Sequence, residues 1–491
     1  MKILFLLFFF VTCVQADIIK DGNFLNPIGK LQAENIEIAT YLPAAKKVFA
    51  IGGSTLYELD ISNPENPKIF KQTKLPWNAS SIAASKNKLA IAFPGNFKEG
   101  ILRLYSFTDS LILEQEIKTC SGLDMVTFSP NGNFLLGACE GSPSDDFSED
   151  PEGGVLYLSL ENSKNTPEFL SFNHLDSARL ISLGVRKIGE SSFFNSLEPE
   201  YITIASDSKT AWVSLQENNA LAKIDLSKKQ ITDVFPLGVL DHSKDSNTIV
   251  ISSSEEITRT KLPLLGIRGP DGIASFSFGN KSFVLTANEG ADVDYSAWKD
   301  SQKWEKRLKG EKLDSACFHA EPFKNSKIKL AKDPCLKNEI GECSAFYSFG
   351  TRSISLFDGN NGKLLWDSGN LLERKMEKLA KPYFNWNSKK GKVKVNARSS
   401  SKGIEPENVV IGDIANKKYA FIGLERMSGI VAFELENGKN PQYKGFFMDS
   451  SDRGPEGMFF IPAENSPTKE PLLIVCYEYS GTFVIYRISQ K

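Results

Sequence analysis

The chain has 491 residues, with 58 Lys and Arg against 60 Asp and Glu, so its formal net charge at neutral pH is −2. A near-neutral chain without a basic block argues against nucleic acid as a partner. The length would ordinarily divide into two or three domains, although repeat folds commonly form one domain of this size.

The first segment, "MKILFLLFFFVTCVQAD", has the organisation of a secretory signal. Lys2 gives the positive start, residues 3–11 are apolar, and small residues precede a cleavage site after Ala16. The apolar stretch is too short to span a bilayer, and the final "FVIYRISQK" has no apolar tail. We therefore expect a signal peptide over 1–16 and a secreted, extracellular single domain over 17–491, without a membrane span.

Cysteine use is consistent with an oxidising compartment, where disulfides are the default. Seven cysteines become six when Cys13 leaves with the signal: Cys120, Cys139, Cys317, Cys335, Cys343 and Cys476. The favoured pairing is Cys120 with Cys139, plus one bond among the three cysteines of 317–343. Zinc binding is the alternative for that cluster, but it lacks a CxxC pair. Two glycosylation sequons, at Asn78 and Asn280, agree with a secreted protein.

Strand-like segments recur along the chain, and five of them begin with an acidic residue. One copy reads "EPEYITIASDSKTAWVSLQENNALAKIDL" and another "EPENVVIGDIANKKYAFIGLERMSGIVAFEL". In each copy the acid precedes an alternating apolar strand, a polar turn, and a second strand that ends near another acid. The pairs are 16 to 22 residues apart: Asp124 with Glu140, Glu200 with Glu217, Asp271 with Glu289, Glu407 with Glu425, and Glu456 with Glu478.

Two weaker units, at 34–62 and 80–107, keep the strand rhythm without the acid pair. Seven units of roughly 40 residues match the period of a β-propeller, in which each unit is one four-stranded blade. The expected blades are 31–72, 77–118, 120–162, 196–240, 268–367, 403–440 and 454–488. An eight-bladed ring is the alternative if residues 163–195 form another blade.

Two regions interrupt the rhythm. Residues 290–350 are rich in Lys and Asp and contain "DYSAWKDSQKWEKRLKGEKL", which resembles an exposed helix. Residues 371–403 form a basic excursion before the sixth unit. The sequence thus predicts an all-β, seven-bladed β-propeller with a Lys/Asp-rich, partly helical insertion in blade five. Such insertions emerge on one rim, where binding usually occurs.

The repeated acids have two interpretations. Antiparallel pairing brings the two acids of each unit together, so five pairs would surround one mouth of the central channel. Crowded carboxylates favour a hard cation such as calcium. Alternatively, the acids accept hydrogen bonds at strand ends and hold the blades in register. Arg352, Arg398 and Arg426 would neutralise part of the ring, which favours this structural role.

A separate acidic stretch, "EGSPSDDFSEDPEGG", covers residues 140–154. Its spacing does not match an EF-hand loop, so a solvated acidic loop and an ion-binding loop are both open. Catalysis has little support, because none of the three histidines lies in a repeat unit. The chain also lacks a GxSxG motif, a phosphate-binding P-loop and an HExxH motif.

Several long motifs occur in one order along the chain: "FSPNGNFLLGACEGSPSDDFSEDPEGGV", "LEPEYITIASDSKTAWVSLQENNALAKID", "PDGIASFSFGNKSFVLTANEG", "YAFIGLER" and "GPEGMFF…YEYSGT". They resemble the mesenchyme-specific cell-surface glycoprotein family, the choice-of-anchor I type of propeller. The resemblance implies an extracellular location and calcium contact, without an established reaction. The chain departs from the family pattern at Val293 and Asp294, and at Ser400 and Ser401 where the family has aspartates. A ligand set is therefore not carried over.

These observations predict a secreted binding or matrix-type propeller that contacts calcium and an extracellular protein, glycan or mineral surface. The alternative is a calcium-dependent hydrolase, a phytase-like phosphoesterase or a lactonase, which rests on analogy between folds.

Overall fold

Strands dominate the computed structural model, which describes residues 16–161, 166–319, 321–324 and 326–489. The predicted signal segment lies outside these ranges apart from its last position. Runs rich in Val, Ile, Phe and Tyr form the strands, and turns with Gly, Asn and Asp end them. The first two strands are β1 (Ile18–Asp21) and β2 (Leu25–Gln32).

Four antiparallel sheets follow in chain order, each made of consecutive strands. The first contains β3 (Ile38–Leu42), β4 (Lys47–Gly52), β5 (Thr55–Asp60) and β6 (Lys68–Lys74). The second contains β7 (Ser81–Ser85), β8 (Lys88–Phe93), β9 (Ile101–Phe107) and β10 (Leu111–Lys118). The third contains β11 (Leu123–Phe128), β12 (Phe134–Cys139), β13 (Gly154–Ser159) and β14 (Glu168–Ser171), and α1 (Ser177–Leu183) follows it. The fourth contains β15 (Pro199–Ile204), β16 (Thr210–Leu215), β17 (Ala220–Asp225) and β18 (Gln230–Pro236).

The next part of the chain alternates between a sheet of the ring and a side unit. The side unit consists of residues 239–267 and 290–350. In order the elements are β19 (Val239–Asp241), β20 (Leu264–Ile267), β21 (Ile273–Phe278), β22 (Lys281–Ala287), β23 (Ser301–Lys303), α2 (Trp304–Leu308), β24 (Lys329–Ala331), β25 (Leu336–Lys337), β26 (Cys343–Phe349), β27 (Ile354–Asp358), β28 (Leu364–Asp367) and α3 (Leu371–Leu379). Strands β21, β22, β27 and β28 make one antiparallel sheet. Strands β19, β20, β26 and β25 make a mixed sheet in which β20 and β26 are parallel.

Two further sheets complete the ring, and both include a strand from the start of the chain. They are built from β29 (Pro406–Ile414), β30 (Lys417–Leu424), β31 (Gly429–Leu435) and β32 (Gln442–Asp449), then β33 (Pro455–Ile461), β34 (Leu472–Tyr477) and β35 (Thr482–Ile488). Strand β1 adds to β32, and β2 adds to β35. Single 3-10 turns cover Asp245–Asn247, Glu321–Phe323, Lys381–Tyr383, Ser388–Lys390 and Glu425–Met427.

The first strands of these sheets contact one another in a closed cycle, from β3 through β7, β11, β15, β21, β29 and β33 back to β3. Sheets arranged around one axis in this way form a β-propeller. The predicted all-β propeller is confirmed, and the number of blades stays a prediction. The segment considered for an additional blade forms β14 and α1.

The core lies between neighbouring sheets. The second strands β12 and β34 are buried at every position, because sheets pack on both of their faces. Strands buried on both faces read as continuous apolar runs, and "FLLGAC" and "LLIVCY" are such runs.

The helix expected over residues 294–313 is reduced to the five residues of α2. Tertiary packing prevents a longer exposed helix, since Asp300 and Arg307 are buried and Trp304 packs on the apolar core of the side unit. Cys335 and Cys343 form a disulfide in this unit, and Cys120 and Cys139 form the one predicted for the third sheet. The thiols of Cys335 and Cys343 are therefore paired with each other, and Cys317 is the free cysteine of this cluster.

Candidate functional site

A cavity of about 660 Å³ lies on the propeller axis and is lined by the first strands of the sheets. Eight carboxylate residues line it: Glu37, Asp124, Glu140, Glu200, Asp271, Glu407, Glu456 and Glu478. Among the described residues that line the cavity, none is Lys, Arg or His. The axis therefore concentrates negative charge in a partly enclosed space.

The first acid of a repeat unit sits at an irregularity in its strand. In three sheets a proline starts this strand, and the pairing register shifts between the proline and the residue three positions later. The acid lies within each shift, and these acids are Glu200, Glu407 and Glu456. A similar shift brackets Asp124. Such a bulge bends the strand and turns a side chain away from the regular alternation. The "PE" motif thus positions a carboxylate at the axis.

The second acid of a unit is fixed by its own backbone. The N–H groups of Glu140, Glu425 and Glu478 donate to the carbonyl oxygens of Gly122, Glu405 and Gly454 at 2.8–2.9 Å. Each acceptor lies two residues before the first acid of its unit. This bond holds the two acids of a pair together, as the antiparallel arrangement predicts.

Several carboxyls at or near the axis have raised pKa values because they are buried and repel one another. Burial, followed by the charges of Glu140 and Asp271, raises the pKa of Asp124 to about 7. Burial and the charge of Glu289 raise the pKa of Asp271 to about 7. Burial and then the charge of Glu140 raise the pKa of Glu217 to about 8. Ionising the whole cluster without a cation is therefore unfavourable.

Glu37 belongs to this cluster and was not among the predicted residues. It lines the cavity just before β3, and burial with the charge of Glu478 raises its pKa to about 7. The sequence contains a signal for it, since "IEIAT" places an acid before an alternating strand as "PEYIT" does. Gly53 follows the second strand of that unit where other units have an acid, which hides the correspondence.

One sector of the ring is neutralised by basic side chains. Glu405 is fully buried and accepts hydrogen bonds from Arg398 Nη2 and Arg426 Nε, each at 2.8 Å. Burial opposes its ionisation, but the charges of Lys402, Arg398 and Arg426 lower its pKa to about 2. Lys402 also pairs with Glu289. The predicted neutralising roles of Arg398 and Arg426 agree with these contacts.

Arg352 was expected in the same role and does not fill it. Its Nη2 donates to the backbone oxygens of Ser399 and Ser401, and its nearest carboxylate is Glu373, with Nε 3.7 Å from Oε1. The side chain of Arg352 therefore bonds to the second insertion, residues 371–403, and its backbone is left-handed.

Two groups of carboxylates approach closely enough to share an ion. In the first, one oxygen each from Asp271, Glu289 and Glu407 lies within 4.8 Å of the others. The second group joins Glu289 with Glu405 and Glu425 in the sector that Arg398 and Arg426 neutralise. The first group is the better cation site because Lys402 is its only direct basic partner among the described residues.

Three carboxyls of the repeat units each leave one oxygen buried and without a hydrogen-bond donor among the described residues. These atoms are Oε2 of Glu200, Glu217 and Glu407. A buried polar atom without a partner carries a free-energy cost that a bound ion or ordered water removes. The axial cluster therefore contains more acceptor oxygens than its protein donors satisfy.

Apart from Glu140, which lines the axial cavity, three carboxylates of the acidic loop at 140–154 accept hydrogen bonds from serine side chains. Asp146 accepts hydrogen bonds from Ser144 and Ser148, which lower its pKa to about 2. Asp150 accepts from Ser191 Oγ at 2.9 Å. These contacts are typical of a solvated loop that is held by its own hydrogen bonds. Both sequon asparagines, Asn78 and Asn280, are exposed, and their glycosylation stays a prediction.

A sequence model of the choice-of-anchor I domain family matches residues 37–438. The chain belongs to this family. The predicted resemblance is thereby confirmed. Among the described residues, no helix is long and apolar enough to cross a membrane.

Two curated relatives and one solved structure resemble this choice-of-anchor I protein. "Mesenchyme-specific cell surface glycoprotein" of Strongylocentrotus purpuratus is 26% identical over 53% of this chain and 38% of its own length. "Gigasin-3a" of Magallana gigas is 23% identical over 30% of this chain and 59% of its own length. The alignments thus span less than two thirds of either relative. Hydrazine synthase of Kuenenia stuttgartiensis superposes with a TM-score of 0.50 at 10% identity, covering 94% of this chain and 98% of that one, which shows likeness of fold alone.

Proposed function

We propose that this choice-of-anchor I protein is a secreted, extracellular binding protein whose axial carboxylates hold calcium. The Strongylocentrotus relative is named as a cell-surface glycoprotein, and the two disulfides of this chain suit an oxidising compartment. The exposed sequons agree with the same location.

The observation that carries the calcium proposal is the group formed by Asp271, Glu289 and Glu407. Their oxygens lie within 4.8 Å of one another, and Glu407 Oε2 is buried without a donor. Calcium takes six to eight oxygen ligands and tolerates irregular geometry. Three carboxylates, with water and neighbouring carbonyl or amide oxygens, supply ligands of this kind.

The protons that the carboxyls of the free site hold make the calcium proposal testable. The pKa of Asp271 is raised to about 7, and burial with the charges of Glu289 and Glu425 raises the pKa of Glu407 well above its usual range. At neutral pH the free site therefore holds protons that calcium must displace. Calcium binding should release protons and should weaken as the pH falls from 8 to 6.

The test compares thermal unfolding of the wild-type protein, Glu407→Gln and the exposed-loop control Glu464→Gln, each with calcium and with chelator. Binding to the folded state alone stabilises by about 2.7 kcal/mol at 100 times the dissociation constant. We expect this rise in the wild type and the control, and a much smaller rise in Glu407→Gln. Titration calorimetry in two buffers of different ionisation enthalpy would count the released protons.

The structural interpretation of the acids predicts another pattern. If Glu407 only holds neighbouring strands together, Glu407→Gln lowers stability equally with calcium and with chelator. A wild-type protein with the same melting temperature in both conditions would also overturn the calcium proposal.

A further inference from the structure

A second cavity, of about 220 Å³, lies between the side unit and the segment that precedes β29. Its lining is basic, in contrast to the axial cavity. Four cationic side chains line it, Lys327, Lys329, Arg352 and Lys402, and Asp292 is the single acid among the described lining residues. The side unit contributes two of the lysines, so the insertion completes the cavity.

Arg352 lines this cavity and has hydrogen-bond donors without acceptors. The residue is 2% exposed, and its Nη2 is satisfied by Ser399 O at 2.7 Å and Ser401 O at 3.0 Å. Its Nε and Nη1 have no acceptor among the described residues. Glu373 lies 3.7 Å from Nε, and that carboxylate accepts from Arg259 Nη1 at 2.9 Å.

Ser348 adds a second unsatisfied group to the same lining. It is 3% exposed, and its hydroxyl has no hydrogen-bond partner among the described residues. Ser400 and Ser401 also line the cavity. A buried guanidinium with free N–H groups beside a buried hydroxyl lacks an acceptor, and the desolvation cost of such donors is high.

The acid in the cavity does not supply this acceptor. Asp292 Oδ2 accepts from Ser301 Oγ at 2.6 Å and from Lys329 Nζ at 3.3 Å. Lys402 is paired with Glu289 on the axial side. After these pairs are counted, Lys327 has no ion pair among the described residues, and Arg352 shares the Glu373 carboxylate with Arg259.

We infer that this cavity binds a tetrahedral oxyanion, a phosphate or sulfate group. A small anion with several acceptor oxygens would offset the basic lining and offer acceptors to the Arg352 guanidinium and the Ser348 hydroxyl, and the exposed lysines supply attraction. Arginine N–H groups and phosphate or sulfate oxygens form short, charge-assisted hydrogen bonds. The inference does not require calcium at the axis, although Lys402 lines this cavity and also pairs with Glu289 of the axial group.

The experiment titrates inorganic phosphate, and separately inorganic sulfate, into the full secreted protein by calorimetry, in chelator and at constant ionic strength with chloride. Saturable binding of one molecule per chain is the expected result. We expect the double variant Lys327→Gln/Lys329→Gln to weaken affinity about tenfold, and Ser348→Ala to weaken it severalfold. Lys337→Gln, an exposed lysine of the same unit outside the lining, should bind as the wild type does.

Both lysines in the double variant are exposed, so this substitution leaves the core intact, and melting temperatures verify that each variant is folded. The phosphate and sulfate arms distinguish a phosphate site from a sulfate site. Wild-type protein that takes up neither anion beyond the chloride background would overturn the inference. Equal affinity in the wild type, the double variant and Ser348→Ala would overturn it as well.

Discussion

Replacing Glu217 by Gln should stabilise this protein at alkaline pH in the absence of calcium. The side chain is 7% exposed, its Oε2 has no hydrogen-bond donor among the described residues, and burial with the charge of Glu140 raises its pKa to about 8. Glutamine keeps the shape and removes the charge. The hydrogen bond from Arg186 Nη1 goes to the backbone oxygen of Glu217, so the substitution preserves it.

The direction and size of this stability change follow from the difference between the folded and unfolded pKa values of Glu217. A carboxyl whose folded pKa lies above its unfolded value binds more protons in the folded state, so stability is lost as pH rises between the two values. For Glu217 this window runs from 4.5 to about 8. At 1.36 kcal/mol per pKa unit, the loss between about pH 5.5 and 8 is up to about 3 kcal/mol from this group.

The assay is urea unfolding of wild type, Glu217→Gln and Glu464→Gln in chelator at pH 5.5 and pH 8. Wild type and Glu464→Gln should lose stability between these values, and Glu217→Gln should lose up to about 3 kcal/mol less. A Glu217→Gln protein that is no more stable than wild type at pH 8 would refute the argument that this carboxyl is electrostatically unfavourable.

Two further substitutions test other contacts. Glu405→Gln should destabilise by about 3–5 kcal/mol at pH 7, because it leaves Arg398 and Arg426 without their buried carboxylate. Denaturant unfolding measures this, and a loss below about 1 kcal/mol would contradict the ion-pair assignment. The double variant Cys120→Ser/Cys139→Ser opens a 19-residue loop and should lower stability by about 3 kcal/mol. An unchanged melting temperature relative to the oxidised wild type would show that the crosslink contributes nothing.

The regular succession of strands could be predicted from the sequence because each strand is short, apolar and bounded by turn residues. The position of the paired acids was readable too, since antiparallel strands bring the start of one beside the end of the next. The bulges at Glu200, Glu407 and Glu456 were not predicted. They depend on two residues of one strand facing one residue of its neighbour, which the spacing within a single strand does not reveal.

Other features depend on contacts between distant segments. The charged pattern around Trp304 reads as an exposed helix, but strands from residues 239–267 and 343–349 pair beside it, and Trp304 packs half-buried on their apolar core. Arg352 was grouped with Arg398 and Arg426 by charge alone, whereas its side chain lines another cavity. Local sequence therefore predicted the repeating sheets better than the insertions that cover them.

The pairing of β1 and β2 with the last two sheets has a consequence for biosynthesis. The backbone N–H of Asp17 reaches the side chain of Ser450, 433 residues later. At roughly 5–20 residues per second, the N-terminal strands wait about 20 to 90 seconds before their partners leave the ribosome. An unpaired strand is an aggregation hazard during that interval. The sequence of β2, "LNPIGKLQ", carries a proline, a glycine and a lysine, which discourage premature association with other nascent chains.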